Sequence, residues 1–392
     1  MTVRVVRPLR TGAIGVVVAG AVAATLLAGP AEASGSGAAG ASGSGKGRGH
    51  AATQSALDAV VAAGVPGVTA RVTDRHGTWK GTSGVGDLSD GTPRGARDRY
   101  RVGSVTKTFV ATVLLQLQGE GRVDLDDPVE KWLPGLVRGE GYDAERITLR
   151  HLLNHTSGIY DFLDDEEFAG RFFTEEFFDH RYDTFTPQEL VATGVRNKAR
   201  FEPGEEWDYS NTNYVLAALV IEKATGEAYG DEIERRIIKP LGLRGTSVPG
   251  TDSRVPKPSS RAYHSFTGPG GKLRDVTELN PSAAFGSGEM ISDSRDLTRF
   301  YSALLRGRLL PREQLAEMKD TVEVAPGTDY GLGLQRWRTS CGVLVWGHGG
   351  DIHGSSTTAV TTSDGRHTIA FNYNAIRTAQ WKPVVEAEFC GD

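Results

Sequence analysis

Segments rich in β-branched and aromatic residues lie at both ends of the 392-residue chain, whereas the long middle has a helical pattern. Near the start, Val68–Val72 alternates and is followed by a second short run ending at Gly84, which predicts a hairpin. Further strands are predicted at Gly331–Trp337, Val343–Trp346, Ser355–Thr361 and Thr368–Tyr373. The simplest arrangement is an α+β fold, in which one antiparallel sheet is built from both chain ends, flanked by helices, and interrupted by an inserted all-helical lobe. A cleft between two such lobes is a natural place for a site.

The first 50 residues are typical of an exported protein. A basic start with Arg4, Arg7 and Arg10 is followed by an uncharged stretch and by the small-residue sequence Ala31-Glu32-Ala33. This layout predicts a signal peptide over residues 1–33, cleaved near Ala33, and a secreted protein without stable membrane insertion. A membrane anchor is the alternative, although the stretch contains few Leu or Ile residues.

Residues 34–50 are rich in Gly and Ser and predict a flexible linker, with a cell-wall tether as the alternative. Residues 51–392 then form one folded domain. We expect its sheet lobe at about 51–100 and 310–392 and its helical lobe at about 101–309.

Composition excludes several classes of function. Lys and Arg together number 44 against 49 Asp and Glu, a formal net charge of −5, so a nucleic-acid partner is not expected. The chain has only two cysteines, which excludes cysteine-rich metal sites, and we expect neither a metal nor a cofactor. In an exported chain Cys341 and Cys390 are expected to form a disulfide, with two free buried thiols as the alternative. We expect a monomer.

The segment Ser104-Val105-Thr106-Lys107 reads S-x-x-K and opens an apolar helix. Side chains three residues apart lie on the same helix face, so Lys107 can take the proton of the Ser104 hydroxyl if its amine is neutral. The N–H of Ser104 is free at a helix start and can donate to an oxyanion. A helix cap at Ser104 is the alternative interpretation.

Two further segments have the chemistry of a hydrolase site. Tyr209-Ser210-Asn211 precedes a helix; Tyr209 can relay a proton, and Asn211 can bind a substrate amide from both ends. His348-Gly349-Gly350 lies between two predicted strands, where glycines let a substrate backbone approach a sheet edge. The N–H of Asp351 is then a candidate second oxyanion donor. A capped helix start and a Gly-rich turn are the alternatives.

In this order and spacing, the three segments resemble those of the penicillin-recognising serine hydrolases. The branch that the chain resembles contains class C β-lactamases and secreted D-alanyl-D-alanine carboxypeptidases of the actinomycete type. Supporting segments match as well: Tyr100–Lys107, His151–Gly158, Pro203-Gly204 and Tyr330–Leu334. The resemblance covers residues 51–392.

The resemblance implies roles residue by residue. Ser104 is the nucleophile, and Lys107 and Tyr209 share the role of base. His348 occupies the cationic position of the third motif, and Asn211 orients the acyl chain. The implied reaction is acylation of Ser104 by a D-residue carbonyl or a β-lactam, followed by transfer to water or an amine.

One departure concerns the recognition of a terminal carboxylate. The carboxypeptidases have Thr inside H-x-G, whereas this chain has Gly349, and the acidic Asp351 follows the motif. We therefore expect a carboxylate to be repelled unless Arg336 or His348 compensates, whereas an amine would be attracted. Gly350 and His353 are further candidate substrate contacts.

The leading hypothesis is a secreted D-alanyl-D-alanine carboxypeptidase-like, penicillin-binding enzyme acting on small peptides such as peptidoglycan stem peptides. A β-lactamase, a D-aminopeptidase or an esterase is the alternative, and a catalytically silent penicillin sensor is the hypothesis from another class.

Overall fold

The computed structural model describes Arg4–Val5 and residues 49–268, 270–376 and 381–391. The predicted signal peptide and linker lie outside the described residues, apart from residues 49–50 and Arg4–Val5, which pair in parallel with Glu206–Trp207. Within the described ranges, no helix combines the length and apolar character needed to cross a lipid bilayer.

The described residues form an eight-stranded antiparallel sheet from both ends of the chain. Its strands are β1 (Gly67–Asp74), β2 (Gly77–Gly84), β3 (Val322–Ala325), β4 (Thr328–Tyr330), β5 (Gln335–Arg338), β6 (Leu344–Ile352), β7 (Ser355–Thr362) and β8 (Thr368–Tyr373). The strand order is β2-β1-β8-β7-β6-β5-β4-β3, so the first hairpin pairs with the last strand. The fold class predicted from the sequence is confirmed.

Helices cover both faces of the sheet and fill the middle of the chain. They include α1 (Ala51–Ala62), α2 (Thr106–Gly119), α3 (Leu149–Leu153), α4 (Glu166–Phe173), α5 (Pro187–Val195), α6 (Asn211–Thr225), α7 (Ser294–Leu305), α8 (Arg312–Met318) and α9 (Trp381–Cys390). Further helical segments of three to five residues lie at Gly103–Val105, Val129–Trp132, Phe162–Asp164, Phe177–His180, Tyr229–Ile233, Glu234–Ile238, Lys239–Leu241 and Pro281–Ala284. Two-residue strands pair Tyr100–Arg101 with Ile291–Ser292 and Tyr263–His264 with Arg274–Asp275.

Two hydrophobic cores hold these layers together. On one sheet face, Leu57 and Val60 of α1 and Val384 and Val385 of α9 pack against the apolar side chains of β1 and β8. The larger core lies on the other face and continues into the helical lobe around α2. Because α2 is buried almost all round, it is the central helix of the molecule.

The sulfur atoms of Cys341 and Cys390 are bonded, with 49 residues of sequence separation and a Cα–Cα distance of 5.7 Å. The disulfide ties the end of α9 to the turn between β5 and β6. It lies on the face of the small core and constrains the chain terminus.

Strand β6 is longer than the sequence predicts, and its additional residues form part of the site. The sequence predicts a strand ending at Trp346, whereas β6 continues to Ile352 and includes the whole His348–Asp351 segment. Its partner β5 pairs only as far as Gly347. The segment from His348 onward therefore presents an edge without a β5 partner, and this edge lies against the start of α2.

Candidate active site

Ser104 lies on the short helical turn Gly103–Val105 that leads into α2, and its side chain is partly exposed. Gly103 has a φ of +53°, in the left-handed region that favours glycine. A Cβ at Gly103 would lie 2.7 Å from the backbone N of Asp351, so a larger residue would push β6 away. The local turn and the sheet edge are thus in direct contact beside Ser104.

Lys107 is fully buried below Ser104, one helical turn further along. Its Nζ lies 3.1 Å from Ser104 Oγ, 2.7 Å from Asn211 Oδ1 and 2.7 Å from the carbonyl oxygen of Ser287. The two carbonyl oxygens can only accept hydrogen bonds. A neutral amine therefore donates both of its N–H groups to them and directs its lone pair at the Ser104 hydroxyl.

The surroundings favour this neutral amine. Burial lowers the pKa of Lys107 to about 7, and the negative charge of Asp161 partly opposes the effect. Lys107 is therefore substantially deprotonated at neutral pH and is suited to act as the base for Ser104.

Tyr209 contacts both Ser104 and Lys107. The Lys107 Nζ is 4.8 Å from the centre of the Tyr209 ring. Burial raises the pKa of the Tyr209 hydroxyl above its usual value, with a hydrogen bond to Ser104 acting in the opposite direction. Tyr209 is thus a hydroxyl that keeps its proton at neutral pH and can donate it, whereas the Lys107 amine is better suited to accept one.

Two backbone N–H groups face the space above Ser104. The β6–β7 hairpin turns at His353-Gly354, and Ile352 pairs with Ser355. Because hydrogen bonding alternates along an antiparallel pair, the N–H of Asp351 points away from β7 and toward the free edge. A Cβ at Gly350 would lie 2.6 Å from Ser104 N and 2.1 Å from the Val102 carbonyl oxygen, which shows how closely the strand approaches. Ser104 and Asp351 are thus placed to donate to one oxyanion.

His348 is buried and belongs to a chain of hydrogen bonds rather than to the open site. The Ser210 N–H donates to His155 Nδ1, so His155 carries its proton on Nε2, which lies 3.2 Å from Tyr330 Oη. The Tyr330 hydroxyl can then donate to His348 Nε2 at 2.9 Å, which leaves the His348 Nδ1 proton for the Gly349 carbonyl.

Within this series of hydrogen bonds, His155 and His348 are both neutral. Burial lowers the pKa of His348 to about 3 and that of His155 well below its usual value. The cationic role expected for His348 from the sequence is therefore not supported, because desolvation disfavours the imidazolium. In this geometry His348 orients the Gly349 carbonyl.

Asn211 is also placed differently from the expectation. Its Oδ1 accepts from Lys107, and its Nδ2 donates to Asp161 Oδ2 at 2.7 Å. Both ends of the amide are therefore occupied within the protein. Asn211 holds Lys107 in place instead of binding a substrate amide.

Of the candidate substrate contacts, Asp351 and Gly349 are exposed or partly exposed to solvent, whereas Arg336 and His353 are engaged by other groups of the protein. Asp351 is exposed beside Gly349, where an added Cβ would meet no atom nearer than the Thr357 carbonyl oxygen at 3.9 Å. Arg336 forms an ion pair with Asp329, with Nε and Oδ2 2.8 Å apart. The imidazole of His353 is buried, 4.4 Å from the ring of Phe177, and its Nε2 lies 2.6 Å from the Phe172 carbonyl oxygen, so His353 anchors the helical lobe and does not face the site.

Comparison with known proteins identifies the family. The sequence profile of the family described as Beta-lactamase matches residues 53–378, which is most of the chain. The chain belongs to the beta-lactamase family. The resemblance found in the sequence is confirmed, and the protein is a beta-lactamase-family serine hydrolase.

Two solved structures of this family are similar over nearly the whole domain. A D-stereospecific amidohydrolase from Streptomyces sp. is 56% identical with a TM-score of 0.83, covering 88% of this chain and 100% of that one. A D-amino acid amidase from Ochrobactrum anthropi SV3 is 31% identical with a TM-score of 0.74, covering 86% and 95%.

Curated relatives are longer. Penicillin-binding protein 4* of Bacillus subtilis (strain 168) is 28% identical over 317 residues, which is 77% of this chain and 66% of the relative. The chain spans 53–66% of the length of the first curated relatives that it matches.

Some residues of this beta-lactamase-family site escaped sequence reasoning. His155 and Tyr330 lay in supporting segments without an assigned role, and the Ser287 carbonyl and Asp161 were not considered. His155, in the His151–Gly158 segment, and Tyr330, in the Tyr330–Leu334 segment, had a local signal, whereas Ser287 and Asp161 had none. Among the described residues, no group of three or more His, Cys, Asp or Glu side chains is arranged to hold a metal ion.

The approach of β6 to Ser104 can be tested with two neighbouring glycines. In Gly350→Ala the new Cβ has no room against Ser104 N and Val102 O, so we expect kcat/KM to fall about 100-fold because both oxyanion donors are displaced. The matched control is Gly349→Ala, whose Cβ meets no protein atom nearer than 3.9 Å and which, with an ester that has no α-amine, should stay within a few-fold of wild type. Steady-state kinetics with a chromogenic ester measures both; equal losses would contradict the assigned geometry.

The protonation of Lys107 predicts a pH profile. Since the base must be neutral, kcat/KM should rise with pH and reach half of its plateau near pH 7. Lys107→Arg should abolish activity at every pH, because a guanidinium does not deprotonate.

The control for this profile is Glu289→Gln. The pKa of the buried Glu289 carboxyl is also raised to about 7 by desolvation. This variant should leave the midpoint in place whatever its effect on the rate. If the midpoint near pH 7 disappears in Glu289→Gln, the acid limb of the profile reports Glu289 and not Lys107.

Proposed function

We propose that the protein hydrolyses amide bonds on the carbonyl side of a D-amino acid that has a free α-amine, through an acyl-enzyme on Ser104. The observation that carries this proposal is the exposed Asp351 carboxylate beside the open space at Gly349. An ammonium group would be attracted there, and a small or absent side chain at position 349 leaves room for it.

The charges near this carboxylate argue against recognition of a terminal carboxylate. Although the Asp351 residue is exposed, neighbouring protein atoms desolvate its carboxyl and raise its pKa. A hydrogen bond to Ser356 opposes this effect. Arg336 is engaged by Asp329, and His348 is neutral and buried. Neither Arg336 nor His348, the two residues that the sequence offered for binding a substrate carboxylate, is thus suited to that role.

The similar structures support the same choice. They are a D-stereospecific amidohydrolase and a D-amino acid amidase, and the first aligns with 88% of this chain. The D configuration in the proposal comes from this similarity, whereas the preference for an amine comes from Asp351.

The proposed reaction has two steps, acylation of Ser104 and deacylation by water. In acylation, Ser104 Oγ bonds to the substrate carbonyl carbon while its proton moves to Lys107 Nζ, and the carbonyl electron pair moves to the oxygen facing the N–H groups of Ser104 and Asp351. When the C–N bond breaks, the leaving nitrogen takes a proton from the Tyr209 hydroxyl, which the Lys107 ammonium restores. In deacylation, the oxygen of a water molecule bonds to the acyl carbon while one of its protons moves to Lys107 Nζ. When the bond between the acyl carbon and Ser104 Oγ breaks, Lys107 gives this proton to Oγ and the D-amino acid leaves.

Preference for an amine can be measured directly. The wild type should hydrolyse D-phenylalanine amide with at least about tenfold higher kcat/KM than N-acetyl-D-phenylalanine amide, because only the free amine can pair with Asp351. Asp351→Asn should remove most of this preference, mainly through KM. Asp364→Asn, beyond the far end of β7, is the matched loss of one charge and should keep it. Inactivity of Ser104→Ala shows that Ser104 is required, and an unchanged preference in Asp351→Asn would refute amine recognition.

A penicillin-binding D-alanyl-D-alanine carboxypeptidase is the second candidate function. It is favoured by the complete Ser104, Lys107 and Tyr209 set and by the curated relative named as a penicillin-binding protein. Under amine selection, benzylpenicillin should leave no lasting adduct, since its carboxylate would meet Asp351. Intact mass spectrometry after brief exposure, with Ser104→Ala as control, measures this; a stable adduct on wild type alone would favour the second candidate.

We further propose that the enzyme acts outside the cell after removal of residues 1–33, where peptidoglycan stem peptides are one source of D-residues. The signal-like N-terminus supports this location, and so does the Cys341–Cys390 disulfide, because disulfides persist in oxidising compartments.

A further inference from the structure

Asp161 is a buried carboxylate that the reaction described above does not use. It precedes the turn Phe162–Asp164, and its side chain is almost hidden, with 7% of the residue exposed. One oxygen accepts from the Leu163 N–H at 3.1 Å and the other from Asn211 Nδ2 at 2.7 Å. Both of these partners are neutral amides, so neither cancels the charge.

Asn211 connects this charge to the base. Its amide donates to Asp161 at one end and accepts from the Lys107 amine at the other, with both heavy-atom distances at 2.7 Å. An anion at the N–H end polarises an amide and makes its oxygen a better acceptor. The orientation of the Asn211 amide is thereby determined, with Oδ1 toward Lys107.

We propose that Asp161 is a positioning residue for acylation, which acts through Asn211 to hold the Lys107 amine against Ser104 and to stabilise the ammonium formed there. The proposal rests on the acylation of Ser104 proposed above. Asp161 itself touches neither Ser104 nor the reacting carbonyl in this assignment.

The change of charge during acylation explains why an anion is useful at this place. As the Ser104 O–H proton moves to Nζ and the O–C bond forms, Lys107 changes from neutral to +1 inside a buried site. A neighbouring negative charge favours that product, in the way that an acid behind a catalytic histidine favours the imidazolium. Asn211 keeps the acid from taking the proton itself, because its amide lies between the two groups.

The groups facing Lys107 and Asp161 are few and of defined charge. The Lys107 amine is faced by the neutral His155 and His348, by the protonated Tyr209, and by the Ser287 carbonyl. On the other side, Asp164 faces Asp161, and desolvation together with this neighbour raises the pKa of Asp161 to about 6. Arg200 forms an ion pair with Asp164.

The test is the pH profile of Asp161→Asn with a D-amino-acid amide. Removing the anion should lower the pKa of Lys107, so the acid limb of kcat/KM should move to lower pH. The plateau should fall about tenfold or more, mostly in kcat, because the base is weaker and less well held. A wild-type profile would overturn the proposal, and so would an equal loss at all pH values with no shift of the limb.

Two comparisons separate this role from a structural one. In an Asn211→Ala background, the further effect of Asp161→Asn should shrink to about twofold, because the connection is already broken. Independent, additive losses would overturn the proposal. Glu167→Gln, an exposed acid on the neighbouring α4, should leave the profile unchanged, and melting temperatures check the folding of each variant.

If Asp161→Asn does not fold, Asp161→Glu provides the test. The longer side chain keeps the charge but displaces the carboxylate, so the acid limb should stay in place while kcat falls. A wild-type kcat would then contradict the positioning role. Activity in Ser104→Ala would instead refute the proposed function itself, which distinguishes the two failures.

Discussion

The burial of the Lys107 amine between the helical lobe and the sheet is the interaction on which the site depends. An ammonium group in this position would lose most of its hydration, and each pKa unit of depression corresponds to about 1.4 kcal/mol. Two carbonyl oxygens, from Asn211 and Ser287, take up the N–H groups of the neutral amine. Elements far apart in the chain thus cooperate to keep the amine of one lysine partly neutral, and so able to accept a proton, at neutral pH.

A second constraint is the close approach of strand β6 to the turn that holds Ser104. Gly103 and Gly350 allow it, since a Cβ on either would overlap backbone atoms of the other segment. The long β6 also extends past β5, so its last residues face the nucleophile with a free edge. The same contact places the oxyanion donors and leaves Asp351 in the open.

The charges of the site are as specific as its geometry. His155, Tyr330 and His348 form a neutral hydrogen-bonded chain beneath the strand edge, so positive charge is kept away from the position that resembles a cationic one in related enzymes. Negative charge is present at Asp351 on the open side and at Asp161 on the buried side. This distribution supports the amine recognition and the transient Lys107 ammonium that we propose.

By itself the sequence determined the fold class and the pairing of Ser104 with Lys107 at the start of α2. Period-2 and period-3.6 patterns are local, and the S-x-x-K spacing places Ser104 and Lys107 on one helix face whatever surrounds them. Only the tertiary structure decided the charge states and the roles of His348, Asn211 and His353, because desolvation and hydrogen-bond partners come from elements distant in sequence. Asp161 lies 50 residues from its partner Asn211, and no local pattern indicates that packing brings them together.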